Sequence, residues 1–257
     1  MDQNFRVKVA DDSYVFKISN SLEHSGRLVA QGLALEQLTA AGLPVPHLIS
    51  TSDGSSTTLR KIDGTDHLLR LVTFMPGVVM ASVNPIPDDL VFDLGVLLGR
   101  VDLSLKSFDD PAMHSPFEWD VLRAAETVSK HIEFVTDGPQ ASLLREFCDH
   151  FIRHVLPRLN SLPHQIIHGD ANDYNVLITA DPGSRAIAGL IDFGDLMYTA
   201  RIAELAIAAA YHMMDRVDPV GVGCALVSGY NSVNPLLEEE LDVFAELIRA
   251  RLCTSVS

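Results

Sequence analysis

The sequence predicts an α+β fold in two lobes, a small β-rich lobe over residues 1–75 and a larger, mostly helical lobe over residues 76–257. Three observations predict it. Residues 5–18 alternate apolar and polar side chains with period two. After Pro76 and Gly77 most segments carry apolar residues at helical spacing. One β-like stretch, 165–193, interrupts those helices.

In chain order, Phe5, Val7 and Val9 alternate with Arg6 and Lys8, "ADDS" supplies a turn and "YVFKI" returns, which is a hairpin. Residues 25–41 read as a helix stopped by Gly42 and followed by the extended "LPVPHL". "STSDGSSTTLRKIDGTDH" reads as a polar surface hairpin, and "LLRLVTFM" as a buried strand ended by Pro76 and Gly77. Pro87 and Asp88 open a helix with Leu90, Leu94, Leu97, Leu98, Val101 and Leu105 on one stripe. Residues 118–134, 140–156, 200–214 and 236–252 read as further helices. Within 165–193, "QII", "VLI" and "AIAGLIDF" are short strands, and "DPGS" is a turn.

Composition narrows the class. The chain is 47% hydrophobic and 21% charged over 257 residues, as expected of a globular protein with a sizeable core. A net charge of −15 argues against a nucleic-acid partner and reads as a solubility feature. Cys148, Cys224 and Cys253 are odd in number with no C-x-x-C pair, so free thiols in a reducing compartment are expected. The N-terminus shows no secretory h-region, and the longest apolar stretch, around "LAIAAAYHMM", is too short to span a membrane. The expectation is a cytoplasmic protein with no membrane partner.

The chemistry-bearing residues concentrate in "IIHGDANDYNVLI" (166–178) and "LIDFGD" (190–195). Asp170 is followed by Asn175 five residues on and by Asp192 seventeen after that, each at the end of a short strand. Alone, such residues are turn formers. Together they suit phosphoryl transfer, which needs a carboxylate to accept the proton of an attacking hydroxyl and hard oxygen ligands for Mg²⁺. Asp170 fits the first role; Asn175 and Asp192 fit the second. Gly194 is the expected site of the sharp backbone turn after Asp192. Far upstream, Lys17 lies among the apolar Val15, Phe16 and Ile18 and requires a counter-charge, which a nucleotide phosphate would supply.

With H-G-D-x-x-x-x-N, then D-F-G, and a strand lysine upstream, the chain resembles the aminoglycoside phosphotransferase and choline kinase group, relatives of protein kinases. "DQNFRV", "VFKISN", "RLVTFMPG", "HGDANDYNVLI" and "GLIDFGD" are most similar to hydroxylysine kinases and to the first domain of bacterial aminotransferase fusions. The resemblance implies a protein-kinase-like fold, Mg²⁺, and GTP or ATP as donor. It implies Asp170 as base, Asn175 and Asp192 as metal ligands, and Lys17 on the inner phosphates, with Thr73, Phe74 and Met75 as the purine-facing hinge. The partners it implies are a purine nucleotide and a small cationic hydroxylated metabolite, foremost 5-hydroxy-L-lysine. Asp173, Asp195 and Glu204 are the candidate substrate carboxylates.

There are two departures from the family pattern. Gln31 stands where relatives often carry a lysine-pairing glutamate, and the chain begins where relatives have already formed one strand and a phosphate loop. These motivate a second expectation, an impaired or truncated kinase-like nucleotide-binding domain, such as a detached first domain of a fusion. Other motifs read as structural. His164 and His168 fall on a strand, unlike helical zinc ligands; "GVGCAL" lacks a preceding strand and a third glycine; and no G-x-S-x-G elbow occurs. Gly95 and Gly99 read as helix-packing glycines. For Glu204 a local buried pairing is favoured, whereas for Asp195, and for Trp119 and Asp120, structural and substrate-facing roles both stand.

Overall fold

The computed structural model describes residues 2–21, 23–181 and 183–256. The N-terminal alternation forms β1 (Gln3–Val9) and β2 (Asp12–Ile18), antiparallel, with Phe5 opposite Phe16 and Asn4 opposite Lys17. The helix expected over 25–41 is α1 (Ser25–Ala40), followed by Gly42 in the left-handed region at φ +69°. β3 (Leu48–Ile49), β4 (Thr58–Ile62) and β5 (Thr65–Thr73) complete the first sheet, in which β5 pairs with β2, β3 and β4. β1 lies at the edge of this sheet and is exposed along its length.

The strand read as buried, β5, is half-buried for much of its length. Successive side chains point to opposite faces. Val72 joins the core with Leu35 and Leu38 of α1, whereas Leu69 and Leu71 line an open depression.

Past Thr73 the chain runs to β6 (Val78–Val79) and then α2 (Asp88–Leu105), whose predicted apolar stripe is buried as expected. The weaker helical pattern at 118–134 is broken into a 3₁₀ turn, α3 (Ala124–His131) and a second 3₁₀ turn. α4 (Gly138–His150) continues through a π-helical turn into α5 (Leu156–Leu159).

The β segment at 165–193 is not one unit. β7 (His164–Ile167) pairs antiparallel with β10 (Met197–Ala200), a strand absent from the sequence reading. β8 (Val176–Ile178) and β9 (Ile187–Leu190) instead form a separate sheet with β6. β10 lies just before the helix expected over 200–214, which forms as α6 (Ile202–His212). α7 (Pro219–Val233), also unassigned from sequence, and α8 (Glu238–Val256) follow. Among the described residues, no helix is long and apolar enough to cross a membrane.

The two halves of the "GVGCAL" glycine pattern lie in the first turns of α7, where the Asp218 side chain accepts from Gly221 N. α2 and α7 cross at their glycines. A Cβ on Gly95 would run into the carbonyl oxygen of Leu226, and one on Gly229 into that of Phe92. Backbone walls cannot yield as a side chain would, so Gly95→Ala is expected to cost about 1–3 kcal/mol of stability. Urea unfolding of that variant measures it; a midpoint equal to that of the parent chain would show that the helices separate freely.

Candidate functional site

β7 delivers the chain into His168–Gly169–Asp170 at the centre of the molecule, and the loop that follows is bonded throughout. His168 is fully buried, and burial lowers its pKa from 6.5 to about 4. Its Nδ1 accepts from Asp170 N (3.2 Å), so the proton sits on Nε2, which faces Ile191 O at 3.1 Å. The neutral ring thereby ties the Asp170 loop to the strand that carries Asp192. Gly169 adopts φ +77°, and a Cβ there would lie 2.9 Å from Asp195 O, so the position demands glycine.

Glu204, in the first turn of α6, lies wholly buried beneath this loop. Its carboxylate accepts from Gly169 N at 3.0 Å. Burial, against those backbone bonds, raises its pKa to about 7. Glu204 thus makes the local buried pairing favoured for it, and this corrects its place among the candidate substrate carboxylates. Asp173 is half-buried in the same loop. Its carbonyl accepts from Ala81 N, and its side-chain charge is felt by His212.

Asp170 Oδ2 accepts from Asn172 Nδ2 (3.0 Å) and Asn175 Nδ2 (2.8 Å). Asn175 Nδ2 also reaches Asp170 O at 2.9 Å. The amide nitrogen is thus committed to Asp170, and the amide oxygen, the atom a hard cation would take, has no bond among the described residues. Burial raises the Asp170 pKa, Asn172 and Arg251 oppose it, and the nearby Asp192 adds to it.

Asp192 follows β9 and itself occupies the left-handed region, at φ 64° and ψ 73°. The sharp turn expected at Gly194 is therefore made two residues earlier. A short polar side chain tolerates that region. The Asp192 carboxylate is 3.0 Å from Lys17 Nζ, with side-chain exposures of 47% and 12% respectively. Burial would raise its pKa, but Lys17 holds it below the usual carboxylate value. Asp195 is half-buried one turn on, and burial together with Asp170 and Asp192 pushes its pKa to about 6.

Lys17 is therefore paired across the cleft with Asp192. Gln31 serves a different pair: its Nε2 donates to Gly194 O (3.0 Å), and its Oε1 accepts from Arg70 Nη1 (2.6 Å). Arg70 was not anticipated, although a lone cation within "LLRLVTF" carries the same signal that singled out Lys17.

Lys17, Asp192 and Phe193 also line a mainly apolar cavity of about 360 Å³ with Val15, Leu35, Val72, Thr73, Phe74, Met75 and Leu177. Thr73 N donates to His47 O and Phe74 N to Ser13 O. Met75 is the one of the three whose backbone N–H has no such bond among the described residues.

Against known proteins, the model of the phosphotransferase enzyme family matches residues 2–228. The chain belongs to that family. The hydroxylysine kinase of Xenopus laevis is 31% identical over 278 aligned residues, covering 99% of this chain and 74% of that protein. The homoserine kinase of Zymomonas mobilis is 24% identical, covering 96% of this chain and 74% of that protein. Among solved structures, a microcompartment-associated aminopropanol kinase superposes with TM-score 0.73 at 17% identity, covering 98% of this chain and 79% of its own. An amicoumacin kinase in complex with AMP-PNP, Ca²⁺ and Ami superposes with TM-score 0.74 at 17% identity and the same coverage. The fold is accordingly the protein-kinase-like α+β fold of these phosphotransferases.

One member of the site has no signal in the sequence near the loop. Arg251, on α8, is 3% exposed and lies 3.1 Å from Asp170 Oδ1. It comes from 81 residues downstream, and nothing local marks it. Asp120 proves to be a cap, accepting from Leu122 N and from Thr199 Oγ1, whereas Trp119 is 40% exposed against Arg251.

The buried imidazoles link stability to pH. His212, like His168, is pushed by burial from 6.5 to about 4, and its Nε2 faces Ala171 O at 3.2 Å. Their folded pKa values are depressed, so the unfolded chain takes up protons first. This contribution is full above pH 6.5 and is lost as pH falls toward 4. Glu204 acts oppositely: raised from 4.5 to about 7, it contributes below pH 4.5 and loses that contribution as pH rises through 7. His212→Gln should remove up to one proton, about 1.4 kcal/mol per pH unit, from the acid-side slope. Urea titrations at a series of pH values measure this, and an unaltered slope would refute a neutral His212.

Proposed function

We propose that this chain transfers the γ-phosphate of a purine nucleotide, GTP or ATP, to the hydroxyl of a small amine-bearing metabolite, with 5-hydroxy-L-lysine as the leading acceptor. One observation carries the reading: Lys17 and Asp192 meet at one end of an apolar cavity, with Asp170 within electrostatic reach.

The purine would lie between residues 1–75 and 76–257, against Thr73 and Phe74, with the Met75 N–H as its backbone donor. Lys17 would hold the inner phosphates. The donor set suits Mg²⁺, because the unbonded Asn175 amide oxygen and the half-exposed Asp192 carboxylate are hard oxygens, and this ion keeps phosphate and water as its other ligands. Mg²⁺ bound there would neutralise charge on the phosphates.

Asp170 would accept the hydroxyl proton as the acceptor oxygen attacks phosphorus. Its raised pKa favours this, since a more basic carboxylate takes a proton more readily. Asp195 lies close enough to feel the charges of Asp170 and Asp192, its carboxylate has no hydrogen bond among the described residues, and the three together would favour a cationic acceptor. The 31% identity to a hydroxylysine kinase directs the choice of acceptor. A nucleotide-dependent reaction and free thiols fit a cytoplasmic site of action.

A coupled assay of amine-bearing alcohols with both nucleotides tests the assignment. Asp170→Asn should lower kcat by roughly 10²- to 10⁴-fold while nucleotide affinity is largely kept. A fully active Asp170→Asn protein would remove it from the role of base. Asp192→Ala should abolish the Mg²⁺-dependent part of nucleotide binding in titration calorimetry, and unchanged heats would move the metal elsewhere. A parent chain that neither binds nor turns over nucleotide would instead support the non-catalytic domain.

A further inference from the structure

Arg251 is oddly placed for a residue that only holds the fold together. Its Nε donates to Tyr211 Oη (3.1 Å), Nη1 to Trp119 O (3.3 Å) and Nη2 to Asp170 Oδ1 (3.1 Å). Its guanidinium lies over the Trp119 ring at 4.9 Å and the Tyr211 ring at 5.4 Å. Two aromatic faces and two neutral acceptors thus fix a rigid, planar cation beside Asp170. A guanidinium has more N–H donors than the three used here, and its fork matches a carboxylate in two-point contact.

This cation conflicts with both neighbouring tasks if the acceptor is a simple amino alcohol. It would repel the ammonium that Asp170, Asp192 and Asp195 attract. It also engages Asp170 Oδ1, one of the two oxygens that could receive the hydroxyl proton, the other being bonded by Asn172 and Asn175. Both conflicts vanish if the acceptor brings its own carboxylate.

We propose that Arg251 is the anchor for the carboxylate of a hydroxy amino acid, and that this carboxylate replaces Asp170 on Arg251, freeing Asp170 Oδ1. The proposal rests on the kinase reading above and narrows its acceptor from amine-bearing alcohols to amino acids. Exchanging one carboxylate for another keeps the buried guanidinium paired at every stage, which avoids the heavy cost of a buried lone charge. Trp119, 40% exposed, forms the side from which the acceptor reaches Arg251, and Asp195 faces its ammonium. The freed Asp170 oxygen takes the hydroxyl proton. The acceptor oxygen forms its bond to the γ-phosphorus, and the bond to the nucleoside diphosphate breaks.

The test compares 5-hydroxy-L-lysine with its carboxamide, which differs only in losing the anionic oxygen pair. For the parent chain, kcat/KM should be on the order of 100-fold lower with the carboxamide. Arg251→Gln should lose most of its rate on the acid and treat the two acceptors within a few-fold of each other, with Arg251→Lys intermediate. A merely structural Arg251 would lower both rates alike and leave the acid preference intact, which overturns the proposal.

Trp119, the only tryptophan in the sequence, gives a readout independent of turnover and of how the variants fold. Its emission in the parent chain should respond saturably to hydroxylysine and not to the carboxamide. Acid-selective emission without phosphate transfer keeps the anchor and removes the kinase reading. Transfer to both acceptors at equal efficiency keeps the kinase and removes the anchor. Neither transfer nor selective emission removes both.

Discussion

The site depends on holding carboxylates near one another although they repel. Asp170, Asp192 and Asp195 each raise or feel the charge of the others, and Asp195 is pushed to about 6 partly for that reason. Left on flexible loops, such groups would separate into water. The clamp that prevents this is main-chain bonding around His168 and Gly169. His168 bonds the Asp170 N–H on one side and Ile191 O on the other, while Glu204 receives Gly169 N–H from below. A neutral imidazole suits the first task, because its two nitrogens offer one acceptor and one donor; a protonated ring would offer two donors and lose the Asp170 contact.

The small lobe meets this clamp through several bonds, among them Arg27 Nη2 to Leu196 O (3.0 Å) and two linkages that involve buried or half-buried cations. Lys17 reaches Asp192 directly. Arg70 reaches the same turn indirectly, through the Gln31 amide to Gly194 O. A neutral Gln31 can accept from a cation and donate to a carbonyl at once, whereas a glutamate would have two acceptors and no donor for Gly194. The departure at position 31 is thus coherent with a buried arginine on β5, and Lys17 is left to the acidic side of the cleft. Burial lowers the Arg70 pKa, with Asp192 opposing the shift, so this second cation also responds to the same carboxylate.

What the sequence disclosed follows from the range of the interactions. The Asp170–Asn175 and Asp192 spacings are local consequences of short strands ending at loops, and so they could be read; so could the β1–β2 hairpin, the α1 stop at Gly42 and the α2 stripe. β10 was hidden because "MYTA" has no alternation of its own and is a strand only by pairing with β7. α7 was obscured by glycines that lower helix propensity, of which Gly229 is needed where the helix crosses α2. The left-handed residue proved to be Asp192, since a motif glycine shows that a turn is near but not which residue makes it. Arg251 could not be found by spacing at all, because tertiary folding alone brings it to Asp170.

That tertiary arrival has its own cause in a buried ion pair far from the cleft. Arg201, just before α6, donates through Nε to Glu240 Oε1 (3.0 Å) and through Nη1 to Asn234 Oδ1 (2.9 Å), and Asn234 continues to Tyr230 Oη and thence to Asp102. Arg201 and Glu240 stand at the starts of α6 and α8. Three residues past Arg201, α6 presents Glu204 to Gly169. Eleven residues past Glu240, about three turns and so nearly the same face, α8 presents Arg251 to Asp170. One buried pair therefore sets the origin of both helices that reach the Asp170 loop, from beneath and from the side. A buried ion pair is a poor source of net stability, since desolvation offsets the attraction. Its value here is registry: a shift of either helix by one residue would break the pair and turn Glu204 or Arg251 away from the loop by about 100°.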